Sequence, residues 1–365
     1  MGETRGIRRI AVNTGGGDAP GLNAVIRAVV LSARRKNWEV LGISRGYGGL
    51  LEPDSLIPLD PAAVRGITHL GGTILGTTNR GNPFEWPTTM PDGSIVLTDR
   101  SDDVVKAFHA HSLDALIAIG GDGSLRIADA LGRKGIPIVG VPKTIDNDLA
   151  ATQVTFGFHT AVQTATDALD KLHSTAESHE RIMVVEVMGR HAGWIALHAG
   201  LSGTADVILI PEIPYDLDSI CAKIDDRYRG GRRFAIVVAA EGARARGGSA
   251  SLLDSSPGAS ARYGGLADRL ARDLSERTGH EARSLVLGHL QRGGSPTAYD
   301  RLIALRFGAA AVRCVEAGQF GRMVALVPPD IRAIPIEDAI QQLKLVPLDS
   351  DTIITARALG VCLGD

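Results

Sequence analysis

The stretch ALIAIGGDGSLRIADAL, residues 115–131, decides the fold. Its opening run is apolar at successive positions and too short for a free-standing helix, as expected of a strand buried on both faces. GGDGS then turns the chain, and LRIADAL continues as a helix. Strand, glycine loop and helix form the repeating unit of a parallel α/β sheet, which binds ligands at the carboxyl ends of its strands. Asp122 is a carboxylate at that end. Beside a bound polyphosphate it repels the anion unless a cation intervenes, so it points to Mg2+. The structural alternative is an N-cap for the following helix.

Outward from this unit the same texture recurs. Apolar runs at 8–13, 39–44, 136–141, 181–187, 205–210, 234–240, 283–288 and 323–327 read as strands. Helices are expected at 22–36, 102–111, 124–134, 158–178, 191–201, 217–229, 263–278 and 299–317. The fold class expected is α/β, with doubly wound, Rossmann-like domains built on mainly parallel sheets. At 365 residues, and roughly 150 per domain, the chain accommodates two. Residues 80–94, with three prolines, and 243–265, rich in Gly, Ser and Ala, break the alternation and read as surface insertions.

Bulk composition excludes several classes. Hydrophobic content of 44%, charged content of 22% and a formal net charge of -2 mark neither a nucleic-acid-binding nor a membrane-binding surface. No apolar run approaches the ~20 residues that span a bilayer, and no signal-peptide core precedes the first strand. Cys221, Cys314 and Cys362 form no CxxC pair and read as packing residues in a reducing cytosol. The ten histidines show no HExxH-like spacing. A cytoplasmic protein is expected.

Two more loops carry chemistry. In TGGGDAPGLNAVIRAVV, 14–30, glycines 15–17 are free to take positive φ and let a ligand approach the backbone, with helix N–H groups following. The loop serves either an anion or tight packing. In PKTIDND, 142–148, Asp146 and Asp148 are two residues apart and share a face if the segment is extended. A carboxylate that takes the proton of an attacking hydroxyl, beside a Mg2+-bound phosphate, is what phosphoryl transfer requires. The alternative is a turn-rich strand exit. The chain has no GxxxxGK[ST] and is not a P-loop enzyme.

Taken together, GGGDAPGLNAVIR (15–27), GGTILG (71–76), IGGDGS (119–124), PKTIDND (142–148), FGFHTA (156–161), VVEVMGRHAGWIAL (184–197), PE (211–212), EGA (241–243) and LGHLQRGGSPTAYDR (287–301) resemble the 6-phosphofructokinase family, in family order. The resemblance implies transfer of a phosphoryl group from ATP, or from pyrophosphate, to the 1-hydroxyl of fructose 6-phosphate. It implies Asp146 as general base with Asp148 beside it, and Thr144 and Arg190 steadying the transferring group. Asp122 becomes the Mg2+ residue. Gly16, Gly17, Tyr47, Arg80, Gly121, Gly123, Ser124 and Lys143 become donor-binding. Met188, Gly189, Glu241, His289 and Arg292 become sugar-phosphate-binding, with Arg181 and Arg283 reaching the 6-phosphate across a subunit interface. A homotetramer or homodimer follows, with one domain at 1–157 plus 291–341, the other at 158–290 plus 342–365, and the sugar phosphate between them.

The donor signature is a hybrid. Family members that use ATP typically have glycine at position 123, while pyrophosphate users have an aspartate there and a lysine at position 143; this chain has Gly123 and Lys143. Steric permission at Gly123 outweighs an added cation, which favours ATP. Ile127, where bacterial ATP enzymes have glycine near the adenine, and Asn79, in place of a donor-contacting arginine, are contrary signals, with Arg80 able to substitute for the latter. Arg27 matches an effector-site arginine, but Leu31, Asp206, Arg232 and Arg233 depart from that pattern, which implies weakened or altered allostery. A GGDG-loop kinase for another acceptor, such as sedoheptulose 7-phosphate, and a catalytically dead sugar-phosphate sensor are the rivals.

Overall fold

The computed structural model describes residues 6–78, 81–248, 252–254 and 262–365. Along the first half run β1 (Arg9–Thr14), α1 (Leu22–Arg34), β2 (Glu39–Ile43), β3 (Leu56–Leu59), β4 (Trp86–Thr89), β5 (Ile95–Thr98), α2 (Ser101–Ala110), β6 (Ala115–Gly120), α3 (Asp122–Arg133), β7 (Ile138–Thr144) and β8 (Phe156–Gly157). Then follow α4 (Phe158–His179), β9 (Ile182–Val187), α5 (Trp194–Ser202), β10 (Val207–Leu209), α6 (Leu217–Arg229), β11 (Ala235–Ala240), β12 (Leu252–Asp254), β13 (Arg262–Tyr263), α7 (Leu266–Thr278) and β14 (Ala282–Val286). The chain closes with α8 (Ala298–Glu316), β15 (Arg322–Val327), β16 (Asp330–Pro335), α9 (Ile336–Ile340) and α10 (Asp351–Ala358).

These elements group into two compact units: Met1–Thr144, Leu149–Gly157 and Arg292–Gln342; and Ile145–Asp148, Phe158–Gln291 and Leu343–Asp365. Ile145–Asp148 groups with the second unit.

In the first unit the sheet order is β16-β15-β7-β6-β1-β2-β3, with β8 against β7. The inner pairs are parallel, and β3 and β16 close the edges antiparallel. β1 sends the chain to β2 on one side and β6 stands on its other side, so the strand order reverses between β1 and β6. Such a switch point leaves a crevice at the carboxyl ends of the strands. The register Thr14↔Ile119 brings the glycine loops after β1 and β6 to that point side by side. β6 is buried at every position, as its continuous apolar run requires. Leu125 and Leu131 of α3 pack with Leu116, Phe108 and Met323 in the core beneath it.

The second unit holds a four-stranded parallel sheet, β10-β11-β9-β14. Ile220 and Ile224 of α6 and Leu266, Leu270 and Leu274 of α7 pack against Val184, Leu209 and Val237 of its strands. α4 and α5 also pack on this sheet. Its centre contains an acid, Glu186, only 2% exposed. That carboxylate accepts the Ala267 N–H at 2.9 Å, in the first turn of α7, and so satisfies an orphan helix donor.

The two expected insertions carry local pairing. In and just after 80–94, β4 and β5 pair into an antiparallel hairpin with Trp86 opposite Thr98. Within 243–265, β12 and β13 pair likewise, and the rest of that stretch lies in part outside the described residues.

Candidate active site

The first unit builds its site from three adjoining backbones. Gly16 adopts φ 77°, the left-handed conformation that glycine enters without penalty. Its neighbours are glycine for a different reason, namely close approach. A Cβ on Gly15 would stand 2.5 Å from Ser124 Oγ, and one on Gly17 would stand 2.9 Å from Arg292 Nη1. α1 begins at Leu22, as the expected helix at 22–36 requires, after the left-handed Gly21. The nearest helix N-terminus in this loop pair is that of α3.

Gly121 precedes α3 in extended conformation, and Asp122 is the first helical residue rather than an N-cap, with no side-chain cap hydrogen bond at the terminus. Its Oδ2 accepts from Arg126 Nε at 3.0 Å, one turn along α3. Its Oδ1 is buried and has no hydrogen-bond partner. A buried carboxylate oxygen with no donor is costly unless a ligand or ion takes it up, which fits a Mg2+ ligand at Asp122. Arg126, which also donates to the Ile340 carbonyl, was not singled out by the sequence; an Asp-to-Arg i,i+4 spacing was its one legible sign.

Tyr47 lies buried against this loop and donates its hydroxyl to the Ser124 carbonyl at 2.8 Å. Burial pushes its phenol far above the ordinary tyrosine range, so it acts only as a neutral donor. Lys143, 4% exposed at the end of β7, donates to the Gly17 carbonyl. Arg292 donates to the Asp18 carbonyl at 3.2 Å. The structure therefore gathers Gly16, Gly17, Tyr47, Asp122, Ser124, Lys143 and Arg292 around one pair of loops. Arg292, expected among the sugar-phosphate residues, stands beside Gly17 and Asp18 of the first glycine loop. Arg80, with Asn79, lies outside the described residues. Ile127 packs on the core of this unit.

Thr144 ends β7, and the chain then turns. The segment Ile145–Asp148 is not extended: Asn147 takes φ 52°. Asp146 and Asp148 consequently do not share a face by strand alternation, in contrast to the expectation for an extended segment, and Asn147 alone separates them in the chain. Within the second unit this turn is electrostatically coupled to Glu241, whose acidity Asp146 weakens. Arg190 Nε stands 3.7 Å from Glu241 Oε1. Met188 is buried and donates its N–H to Gln291 Oε1 at 3.3 Å, next to Gly189 with φ 138°. His289 is exposed on the short helical turn Gly288–Arg292. Arg181 and Arg283 meet on one carboxylate, Glu281, at 2.8 and 2.5 Å.

Burial pushes the Glu241 carboxyl up to about 7, with Arg190 opposing and Asp146 and Glu186 adding to the rise. In the unfolded chain the group titrates near its ordinary 4.5. Between these pH values the folded state holds more protons, so this group's contribution to stability falls as pH rises from about 4.5 to about 7 and is level above that. The span corresponds to roughly 3 kcal/mol as an upper bound. Denaturant unfolding at pH 5 and pH 8 should show a smaller loss for Glu241→Gln than for the unaltered protein; equal losses would exclude a raised Glu241.

Two units built on mainly parallel sheets, the first with two glycine loops side by side around an acid and the second with a double-aspartate turn, define an α/β protein of two domains. The phosphofructokinase family matches over residues 9–315, and the chain belongs to that family. It is 52% identical to an ATP-dependent 6-phosphofructokinase of Chloroflexus aurantiacus over 360 residues, 98% of each chain. Among solved structures it is similar to the phosphofructokinase of Pichia pastoris in the T-state, with TM-score 0.80 and 29% identity. That match covers 98% of this chain and 37% of the larger one. It is also similar to a pyrophosphate-dependent phosphofructokinase from Marinobacter aquaeolei, with TM-score 0.79, 25% identity, and 98% and 88% of the two chains covered.

Proposed function

We propose that this chain is an ATP-dependent 6-phosphofructokinase, which transfers the γ-phosphoryl group of ATP to the 1-hydroxyl of fructose 6-phosphate and gives fructose 1,6-bisphosphate in glycolysis. The observation that carries the reading is the full-length likeness to the Chloroflexus aurantiacus enzyme. The space at Gly123 supports it, since a Cβ there would meet nothing within 4 Å and room is left for a longer donor.

In this reading the first unit binds the donor. The N–H groups of the two glycine loops and the Lys143 ammonium face its phosphates, and Tyr47 and Ser124 hold the loops in register. Asp122 holds Mg2+, which when bound neutralises phosphate charge. Asp146 takes the proton of the attacking hydroxyl as the oxygen–phosphorus bond forms, and ADP leaves. Asp148 stands beside it, and Thr144 and Arg190 steady the charge that spreads over the transferring group. Glu241, Met188, Gly189 and His289 receive the sugar phosphate, and Arg292 and a neighbouring subunit's Arg181 and Arg283 bind its 6-phosphate. The working form is thus a homodimer or homotetramer, in the cytoplasm. Among the described residues no helix is long and apolar enough to cross a membrane.

Regulation differs from that of the bacterial effector-controlled relatives. Asp206, which replaces an effector-site glutamate, is 7% exposed, pairs with Arg227 at 2.6 Å and accepts the Ile236 N–H at 2.9 Å. A carboxylate so engaged belongs to the fold and is not available to an effector.

The purified protein, assayed with fructose 6-phosphate and Mg2+, should turn over with ATP and follow a hyperbolic dependence on the sugar phosphate. Turnover with pyrophosphate alone would move the donor assignment to the Lys143 side of the hybrid signature, and a sigmoidal curve would contradict the regulatory reading.

A further inference from the structure

The double-aspartate turn is held by a residue that no family-like motif includes. Lys344 belongs to QQLKLVPL in the C-terminal tail. Its backbone N–H donates to the Asp148 carbonyl at 2.8 Å. Its ammonium donates to Asn147 Oδ1, also at 2.8 Å. One residue therefore grips the turn twice, at the two positions that follow Asp146.

Lys344 is itself fixed. The Trp194 indole donates to its carbonyl at 2.8 Å, and the ammonium stands 5.7 Å from the Trp194 ring centroid. Two residues on, Val346 N–H donates to Glu212 Oε1 at 2.8 Å, and the same carboxylate accepts the Gly193 N–H just ahead of α5. Burial pushes the ammonium down to about 8, with the Asp148 charge opposing, so the group is held out of water. Val346 is 2% exposed, which anchors the tail on its far side.

The grip acts on a turn that needs it. Asn147 is in the left-handed region, which a residue with a side chain enters at a cost and keeps only when its surroundings fix it. Ile145 is fully buried at the other end. Asp146 thus stands between a packed isoleucine and a residue whose side chain and following carbonyl are both tied to Lys344.

We propose that Lys344 is a positioning residue for phosphoryl transfer, which sets the stance of the Asp146 carboxylate by fixing Asn147 and Asp148. This rests on the reading of Asp146 as the base. Misplacing a reacting group by about 1 Å costs on the order of a hundredfold in rate, while ground-state binding by other residues is spared. A tail that served folding alone would instead lower thermal stability and leave the turnover of the folded protein unchanged.

The experiment is a double-mutant cycle in the full chain. Lys344→Met keeps the length and apolar stem of the side chain and removes the donor. Asn147→Gly removes the acceptor and tolerates the left-handed backbone. Each variant should lower kcat by about tenfold to a hundredfold with the KM for fructose 6-phosphate within about twofold, and the double variant should lose no more than the worse single one. Full kcat in either single variant, or losses that multiply in the double, overturns the proposal; Asn147→Gly decides it if Lys344→Met does not fold. Asp146→Asn is assayed alongside. If it is inactive while Lys344→Met is fully active, the positioning role alone fails; if it is active, the base assignment fails and the inference with it.

Discussion

Asp146→Asn lowers kcat by about 10²–10⁴-fold, the range that positioned general bases contribute, equivalent to roughly 3–5 kcal/mol of barrier. The amide matches the carboxylate in size and still accepts a hydrogen bond, but it cannot take the hydroxyl proton. Fructose 6-phosphate binding, measured by calorimetry without donor, should change little, because in the proposed reading the arginines and Glu241 provide that affinity. A second effect follows from the electrostatics. After burial, the Asp146 charge contributes to the raised pKa of Glu241, so its removal should shift Glu241 titration to lower pH. A variant that keeps more than a tenth of the turnover would exclude Asp146 as the base. Unchanged Glu241 titration would exclude the coupling between the two carboxylates.

Gly123→Asp should reduce kcat/KM with ATP by more than a hundredfold. The substitution is structurally permissive: Gly123 is not among the glycines with positive φ, and an added Cβ meets nothing within 4 Å. Folding and thermal stability should therefore be unaffected. The cost falls on the donor, since the new carboxylate fills the space where the α-phosphate would lie and opposes it with like charge, a penalty of several kcal/mol. Pyrophosphate lacks that phosphate and avoids the clash. Lys143, already directed to the Gly17 carbonyl of the glycine loop, is a cation that either donor can use. Parallel assays with both donors decide the matter: an equal loss with ATP and pyrophosphate would show that position 123 does not discriminate between them.

The fold was legible because its signal is local. A parallel strand covered on both faces must be apolar at successive positions, and β1, β6, β7, β9 and β11 all fall on runs that read that way. The glycine loops were legible as loops, yet the reason for their composition was not. Gly15 and Gly17 are glycine because Ser124 and Arg292 come within 3 Å of where their Cβ atoms would be, and those residues are distant in sequence. The shared face inferred for Asp146 and Asp148 failed for a related reason: spacing predicts sides only in regular structure, and Asn147 leaves it.

By itself the sequence determined the α/β class, the phosphofructokinase family and the identity of the acids and glycines that carry its motifs, because apolar periodicity and loop chemistry are properties of contiguous residues. Tertiary structure alone decided which of these side chains are already engaged and which are open to ligand. It left one oxygen of Asp122 without a partner while Arg126 holds the other. It committed Asp206 to Arg227, and it brought Lys344 from the tail to the turn at Asn147. Such pairings join residues up to 197 positions apart, and they arise only when packing brings distant backbones together and burial forces each polar group to find a partner.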